Sequence, residues 1–155
     1  MTVLDRITAL LQQQAVPFDL LRHAPVFTSE EAALVRGTSL ASGAKALVCK
    51  ADQRFVMFVM PADRRLDSKL ARATLGIKSL RFATREEVLE LTGLTPGSIP
   101  PFGQLFGLTT ICDNALAAEQ RINFNAGDHS VSVSMLYADY AQVEQPQVAV
   151  ITSLA

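Results

Sequence analysis

Lys45 is the residue most at odds with its neighbours. It lies within the apolar run Ala44–Cys49, where a strand would put it on one face with Leu47 and Cys49 and turn Ala44, Ala46 and Val48 to the other. Both faces are apolar, and lysine is almost never fully buried unless paired. Aimed into a cleft, its ammonium could hold a phosphate or stabilise a developing oxyanion. At the mouth of the strand it would instead snorkel to water. The spacing leaves both readings open.

Two more features could carry chemistry. Gly93 to Gly103 holds three glycines and three prolines in eleven residues, so it is neither helix nor central strand. Within it, Gly97 lets a backbone approach a ligand closely while Pro96, Pro100 and Pro101 fix the loop's shape, which would preorganise its amides as donors. An ordinary surface loop has the same composition. His129 shares parity with Val131, Val133 and Met135, and Ser130, Ser132 and Ser134 take the opposite face. An inward histidine at a strand end could bind a ligand or orient a water, or it could be a hydrogen-bonded core residue. His23, before Pro25, reads as a strand-end or loop residue.

Charge adds a fourth feature. The chain carries 14 basic and 15 acidic residues, yet Arg64, Arg65, Lys69, Arg72, Lys78, Arg81 and Arg85 face only Asp67 within their own stretch. That local excess suits a polyanion such as RNA. It equally suits a solvated helix face balanced by acidic residues elsewhere in the fold.

Other patterns are missing. No G-x-S-x-G elbow, Walker A loop or G-x-G-x-x-G occurs. Ser42-Gly43-Ala44-Lys45 matches the S-x-x-K acyl-transfer signature, but it enters a strand and lacks the S-D-N and K-T-G partners. Two cysteines and two histidines, unclustered, make a zinc site or disulfide framework improbable. The expectation is a protein with no metal and no cofactor. A net charge of −1 argues against bulk nucleic-acid binding, DNA included. No signal peptide and no apolar run of membrane-spanning length is present, so a cytoplasmic protein with no membrane partner is expected.

These residues need positioning elements. Apolar spacing predicts a helix over 3–15 and a strand over 18–23. Thr28 and Glu31 read as a capping box opening a helix that stops at Gly37. Ala44–Cys49 and Phe55–Met60 read as a buried β-hairpin. A helix is expected from Leu66 to Leu75, closed by Gly76, then a strand over Ser79–Phe82. A second capping box, Thr84 with Glu87, opens a helix ending at Gly93. Strands are expected at Leu108–Cys112, Arg121–Asn125, Ser130–Met135 and Val143–Ile151. With 155 residues, 49% of them hydrophobic, residues 1–155 read as a single α/β domain, a mixed β-sheet core flanked by short helices.

Taken in order, several segments resemble the YbaK-type family, the prolyl-tRNA synthetase-associated editing domain in its free-standing form. They are His23-Ala24-Pro25-Val26-Phe27-Thr28, Gly43-Ala44-Lys45-Ala46-Leu47, Asp67-Ser68-Lys69-Leu70, Pro96 through Gly103, and Phe124-Asn125-Ala126-Gly127-Asp128-His129. The resemblance spans nearly the whole chain. It implies hydrolysis of the ester joining a wrong, small amino acid (Ala, Ser, Thr or Cys) to tRNA, as translation quality control. By that analogy Lys45 contacts the terminal adenosine or phosphate region, and the Gly97–Pro101 loop positions the ester. His129 matches a histidine of the more alanine-editing-like members. Phe27, Thr28, Ser98, Ile99 and Asp128, in the same segments, become candidate substrate contacts. The family uses a water positioned partly by the substrate's ribose hydroxyl, with no metal and no covalent nucleophile.

The acceptor end of aminoacyl-tRNA is then the expected partner, and an aminoacyl-tRNA synthetase a further one. Arg64, Arg65, Lys69 and Arg72 are the candidate tRNA contacts. An alternative from another class is a non-catalytic module of the same fold that binds tRNA or a synthetase. A third is a Ser/Lys hydrolase using Ser42.

Overall fold

A computed structural model describes all 155 residues. The hairpin around Lys45 is its centre. Strands β2 (Ala44–Ala51) and β3 (Arg54–Pro61) pair antiparallel over their full length, with Lys45 opposite Met60. Strand β5 (Leu80–Phe82) extends the sheet beyond β2, and β6 (Thr109–Asp113) and β9 (Gln147–Ala149) extend it parallel beyond β3, giving the expected mixed sheet.

Parity on β2 decides which side each residue serves. Ala44, Ala46 and Val48 enter the larger core with Met57, Val59, Ile122, Phe124, Val131 and Val133, and helix α1 (Val3–Gln13) adds Ile7 and Leu11. Cys49 and Ala51 face the smaller core with Val56, Phe58, Met60, Ala71 and Ile151. Each fully buried Val, Ile, Leu, Met or Phe among them contributes roughly 1.5–3 kcal/mol. Lys45 shares the second face but lies at its open end, half-buried.

A second, antiparallel sheet stands beside the first, in the order β1 (Asp19–Arg22), β8 (Val131–Leu136), β7 (Arg121–Asn125). A parallel bridge between Asn123 and Gly43 joins it to the start of β2. Helix α2 (Ser29–Arg36) packs its Arg36 end on this sheet. Helices α2, α3 (Ser68–Leu75) and α4 (Arg85–Thr92) are capped at Thr28, Asp67 and Thr84 and close at Gly37, Gly76 and Gly93. No helix is long and apolar enough to cross a membrane.

Three expectations change in detail. The Thr84 box forms completely. At Thr28 only half of it does, because Glu31 turns its carboxylate to the Phe27 amide and the Thr28 hydroxyl. Arg64–Leu66 is a strand, β4, paired with β10 (Thr152–Leu154), so α3 starts only after Asp67 caps it. The single strand expected over 143–151 is divided. Val143 and Glu144 finish helix α5 (Tyr137–Glu144), and Gln145 closes it at φ 50° ahead of Pro146. Beyond β9 the Ile151 amide donates to the Asp113 carboxylate (3.0 Å) and so leaves the ladder.

Candidate active site

Helix α2, the start of β2 and the Gly97 loop enclose a cavity of about 150 Å³, roughly the space that holds one benzene-sized group. Half of its ten apolar lining residues are alanines, Ala32, Ala33, Ala44, Ala46 and Ala62, and the larger ones are Phe27, Leu40, Leu47, Ile99 and Phe124. Its polar groups are Thr28, Ser29, Arg36, Ser39, Lys45 and Asn125. Phe27, Thr28, Lys45, Gly97 and Ile99 thus come together from three separate segments.

Lys45 donates from Nζ to the Arg64 carbonyl at 2.9 Å. No carboxylate lies within ion-pairing distance of it. Burial lowers its pKa, and the charges of Glu30 and Asp63 work in the opposite direction. The ammonium is therefore seated by a neutral acceptor, and its charge remains available to a ligand.

Arg64 supplies that seat through its backbone, and its side chain explains why the seat stays put. The guanidinium Nε donates to Thr152 Oγ1 at 2.6 Å and stands 3.9 Å from the carboxylate of Asp113, which is 1% exposed. Asp113 also accepts from the Ala115 and Ile151 amides. Of the four residues singled out for tRNA, Arg64 is thus turned inward, while Arg65, Lys69 and Arg72 are exposed. Arg81, in the same basic run, is spent on a two-pronged pair with Glu87 at 2.7 and 3.0 Å.

The glycine–proline loop is held from behind. Gly97 has φ 92°, a left-handed conformation that side chains disfavour. Asn125 Nδ2 donates to the Gly97 carbonyl at 2.7 Å. Ile99 and Phe102 are buried anchors, Phe102 packing edge-on to Phe124 and Tyr140. The Tyr140 hydroxyl donates to the Pro101 carbonyl at 2.7 Å. Pro101 therefore belongs to the loop's backing, outside the cavity wall. Ser98 is buried and donates to the Thr95 carbonyl, while its own carbonyl accepts from Gly127.

His129 and Asp128 take supporting places too. The Val26 carbonyl can only accept, so His129 Nδ1 carries the hydrogen (3.1 Å), and Nε2 pairs with the Thr95 hydroxyl (3.1 Å). Both nitrogens are spoken for. The exposed Phe27 ring lies on the imidazole, with centroids 4.8 Å apart. Asp128 accepts from the Ser130 amide and hydroxyl, which hold its carboxyl below the usual range, and it stands away from the cavity.

Arg36 and Asn125 were not among the residues the spacing marked. Arg36 spans a cross-strand pair, Asn125 opposite Ser132, donating from Nη2 to Asn125 Oδ1 (2.9 Å) and from Nε to Ser132 Oγ (2.8 Å). The first bond fixes the amide's orientation, so that Nδ2 faces Gly97. His23 completes the arrangement through Ser132 Oγ at 2.8 Å. In sequence, Arg36 reads as a cation in the last turn of a helix and Asn125 as the start of a turn.

Other nucleophiles are disengaged. Ser42 Oγ donates to the Ser39 carbonyl and accepts from Asn123, and no bond joins it to Lys45. Burial pushes the Cys49 and Cys112 thiols up to about 12, which makes them poor nucleophiles at neutral pH. The chemistry on offer is that of two cations and a preorganised loop around a small pocket.

Known proteins resemble this chain in sequence and in fold. Residues 23–143 match the model of the aminoacyl-tRNA editing domain. The chain is similar to the multifunctional Ser/Thr-tRNA deacylase ProXp-y of Escherichia coli strain K12, 36% identical over 148 residues, covering 92% of this chain and 89% of that protein. It is 33% identical to a proline–tRNA ligase of Shouchella clausii over 127 residues, 80% of this chain but 21% of the ligase. Its fold matches a solved structure described as a candidate trans-editing enzyme for prolyl-tRNA synthetase, with a TM-score of 0.85, 25% identity and coverage of 99% and 98% of the two chains. With its cavity, its seated lysine and its glycine–proline loop, this chain belongs to the aminoacyl-tRNA editing domain family.

Proposed function

We propose that the chain hydrolyses the ester between a small amino acid and the terminal ribose of tRNA, with serine and threonine as its preferred acyl groups. Deacylation of aminoacyl-tRNA follows from family membership; the acyl group and the residue roles are our reading. The observation that carries it is Lys45, half-buried, held by a neutral carbonyl and lining a small cavity. The name of the 36% identical relative supports serine and threonine, and the size of the cavity supports a small acyl group.

In this reading the Gly97–Ile99 backbone positions the ester and Lys45 meets the terminal adenosine or its phosphate. A water adds to the ester carbonyl carbon, the bond to the ribose oxygen breaks, and that oxygen leaves with a proton. The products are a free amino acid and uncharged tRNA. An aminoacyl ester is activated, so positioning and a preorganised positive field supply most of the rate. Pro101, Ser98, Asp128 and His129 act by holding the loop and its neighbours. Phe27 and Thr28 line the entrance, and the exposed Arg65, Lys69 and Arg72 meet the acceptor end. Residues 1–155 act as one editing domain, which Ile7 and Leu11 of α1 support by packing into the same core as β2. The place of action is where translation runs, the cytoplasm. The likeness to part of a proline–tRNA ligase supports a synthetase as a further partner.

The test is deacylation of purified tRNAs carrying Ser, Thr, Ala or Cys, by wild type and Lys45→Ala. Seryl- and threonyl-tRNA are expected to turn over fastest, and the variant to lose about 100-fold or more in kcat/KM. Tight tRNA binding with no turnover of any ester would favour the non-catalytic binding module instead.

A further inference from the structure

Arg36 is a cation without a counter-charge. Its guanidinium lies against the cavity, yet its protein partners are two neutral oxygens, Ser132 Oγ and Asn125 Oδ1. No carboxylate comes within ion-pairing distance. Burial alone drags its pKa down to about 10. Arg36 is half-buried, and a charge drawn part-way out of water with no counter-charge carries a desolvation cost. Such a cost is retained where a ligand repays it.

Geometry shows what the guanidinium still offers. Nε and Nη2 are used, and Nη1 has no protein partner. Nη1 lies over Gly43, 3.9 Å from where a Cβ there would stand, and Gly43 is in the cavity wall two residues before Lys45. Any larger residue at 43 would press on Ala62 Cβ, at 3.1 Å, and narrow that space. Arg36 and Lys45 therefore line one small cavity, and neither cation has an acid of its own.

We infer that Arg36 is a second anion contact of this cavity, and that with Lys45 it takes the phosphodiester on the 5′ side of the terminal adenosine. The inference rests on the aminoacyl-tRNA reading of the site. A guanidinium presents a planar fork to phosphate oxygens, and fixing two of its nitrogens in advance leaves little entropy to lose on binding. Arg36 then does two things: it holds Asn125 against Gly97, and it meets the substrate through Nη1.

The experiment compares 5′-AMP with adenosine as probes, by calorimetry and by NMR, on wild type, Arg36→Gln and Arg36→Lys. Wild type is expected to bind 5′-AMP about tenfold more tightly than adenosine, the size of a charged hydrogen bond to phosphate. In Arg36→Gln that preference falls to within about twofold. Arg36→Lys, which keeps the charge without the fork, falls between. A preference that stays near tenfold in Arg36→Gln overturns the inference. Should Arg36→Gln lose adenosine affinity through misfolding, the wild-type Arg36 Nε–H resonance decides: it shifts with 5′-AMP and not with adenosine, and a signal unmoved by 5′-AMP overturns the assignment. The two readings fail separately. Wild type that deacylates tRNA but shows no 5′-AMP preference loses only the Arg36 contact. Wild type that prefers 5′-AMP but cleaves no ester loses the editing reading and keeps the anion site.

Discussion

Arg64, which seats Lys45, and Arg36, which lines the same cavity as that lysine, have opposite fates. Arg64 sends its side chain away from the cavity, to Thr152 and the buried Asp113, and gives Lys45 only a backbone carbonyl. Arg36 keeps its side chain at the cavity and finds only neutral partners there. One charge is compensated and builds the frame; the other is left open and faces the pocket. The contrast teaches that a basic residue in sequence says little about use, because use is decided by whether an acid from a distant strand arrives to meet it.

The contrast can be broken first at its compensated side. Asp113→Ala strips Arg64 of its counter-charge and the Ile151 and Ala115 amides of their acceptor. The expected loss is about 3 kcal/mol, which calorimetry would read as a fall in Tm of about 6–12 °C. An unchanged Tm would mean that Arg64 is not braced as described. On the open side, Asn125→Ala releases the Gly97 carbonyl and one donor of Arg36. A fall in deacylation kcat of about tenfold is expected, with a cost in stability of about 1–2 kcal/mol. A comparable loss of stability with kcat intact would assign Asn125 to the frame alone. The smallest effect is expected at Ser42→Ala, which removes one acceptor from Asn123. Deacylation should stay within about twofold at a cost of about 1 kcal/mol. Covalent labelling of the wild-type protein at Ser42 by a fluorophosphonate would reinstate the serine nucleophile.

What could be read in advance was local. The hairpin, three glycine-closed helices and the two-faced parity of β2 all follow from signals within a dozen residues, and the architecture agrees with them. Lys45, Gly97, Ile99, Phe27 and Thr28 were also legible, and all five line the cavity. The unread part is long-range. Arg36 is joined to Ser132 and Asn125 across 96 and 89 residues, and no pattern of spacing announces such a pair. The same distance hid the inward turn of Arg64, whose partner is 88 residues on. The strand expected over 143–151 erred for a related reason: Asp113, on another strand, takes the Ile151 amide out of the ladder.

The seat of Lys45 also sets the order in which a folding chain becomes competent. Strands β2 and β3 are joined by a two-residue turn, so their pairing closes a very short loop. The bracket behind Arg64 instead closes a loop of 88 residues, and each doubling of loop length adds about 0.6 kcal/mol of closure entropy. Contacts of long sequence separation form late. A refolding chain therefore holds its lysine on a finished hairpin before the carbonyl that seats it is locked in place. Collapse comes first and chemistry last.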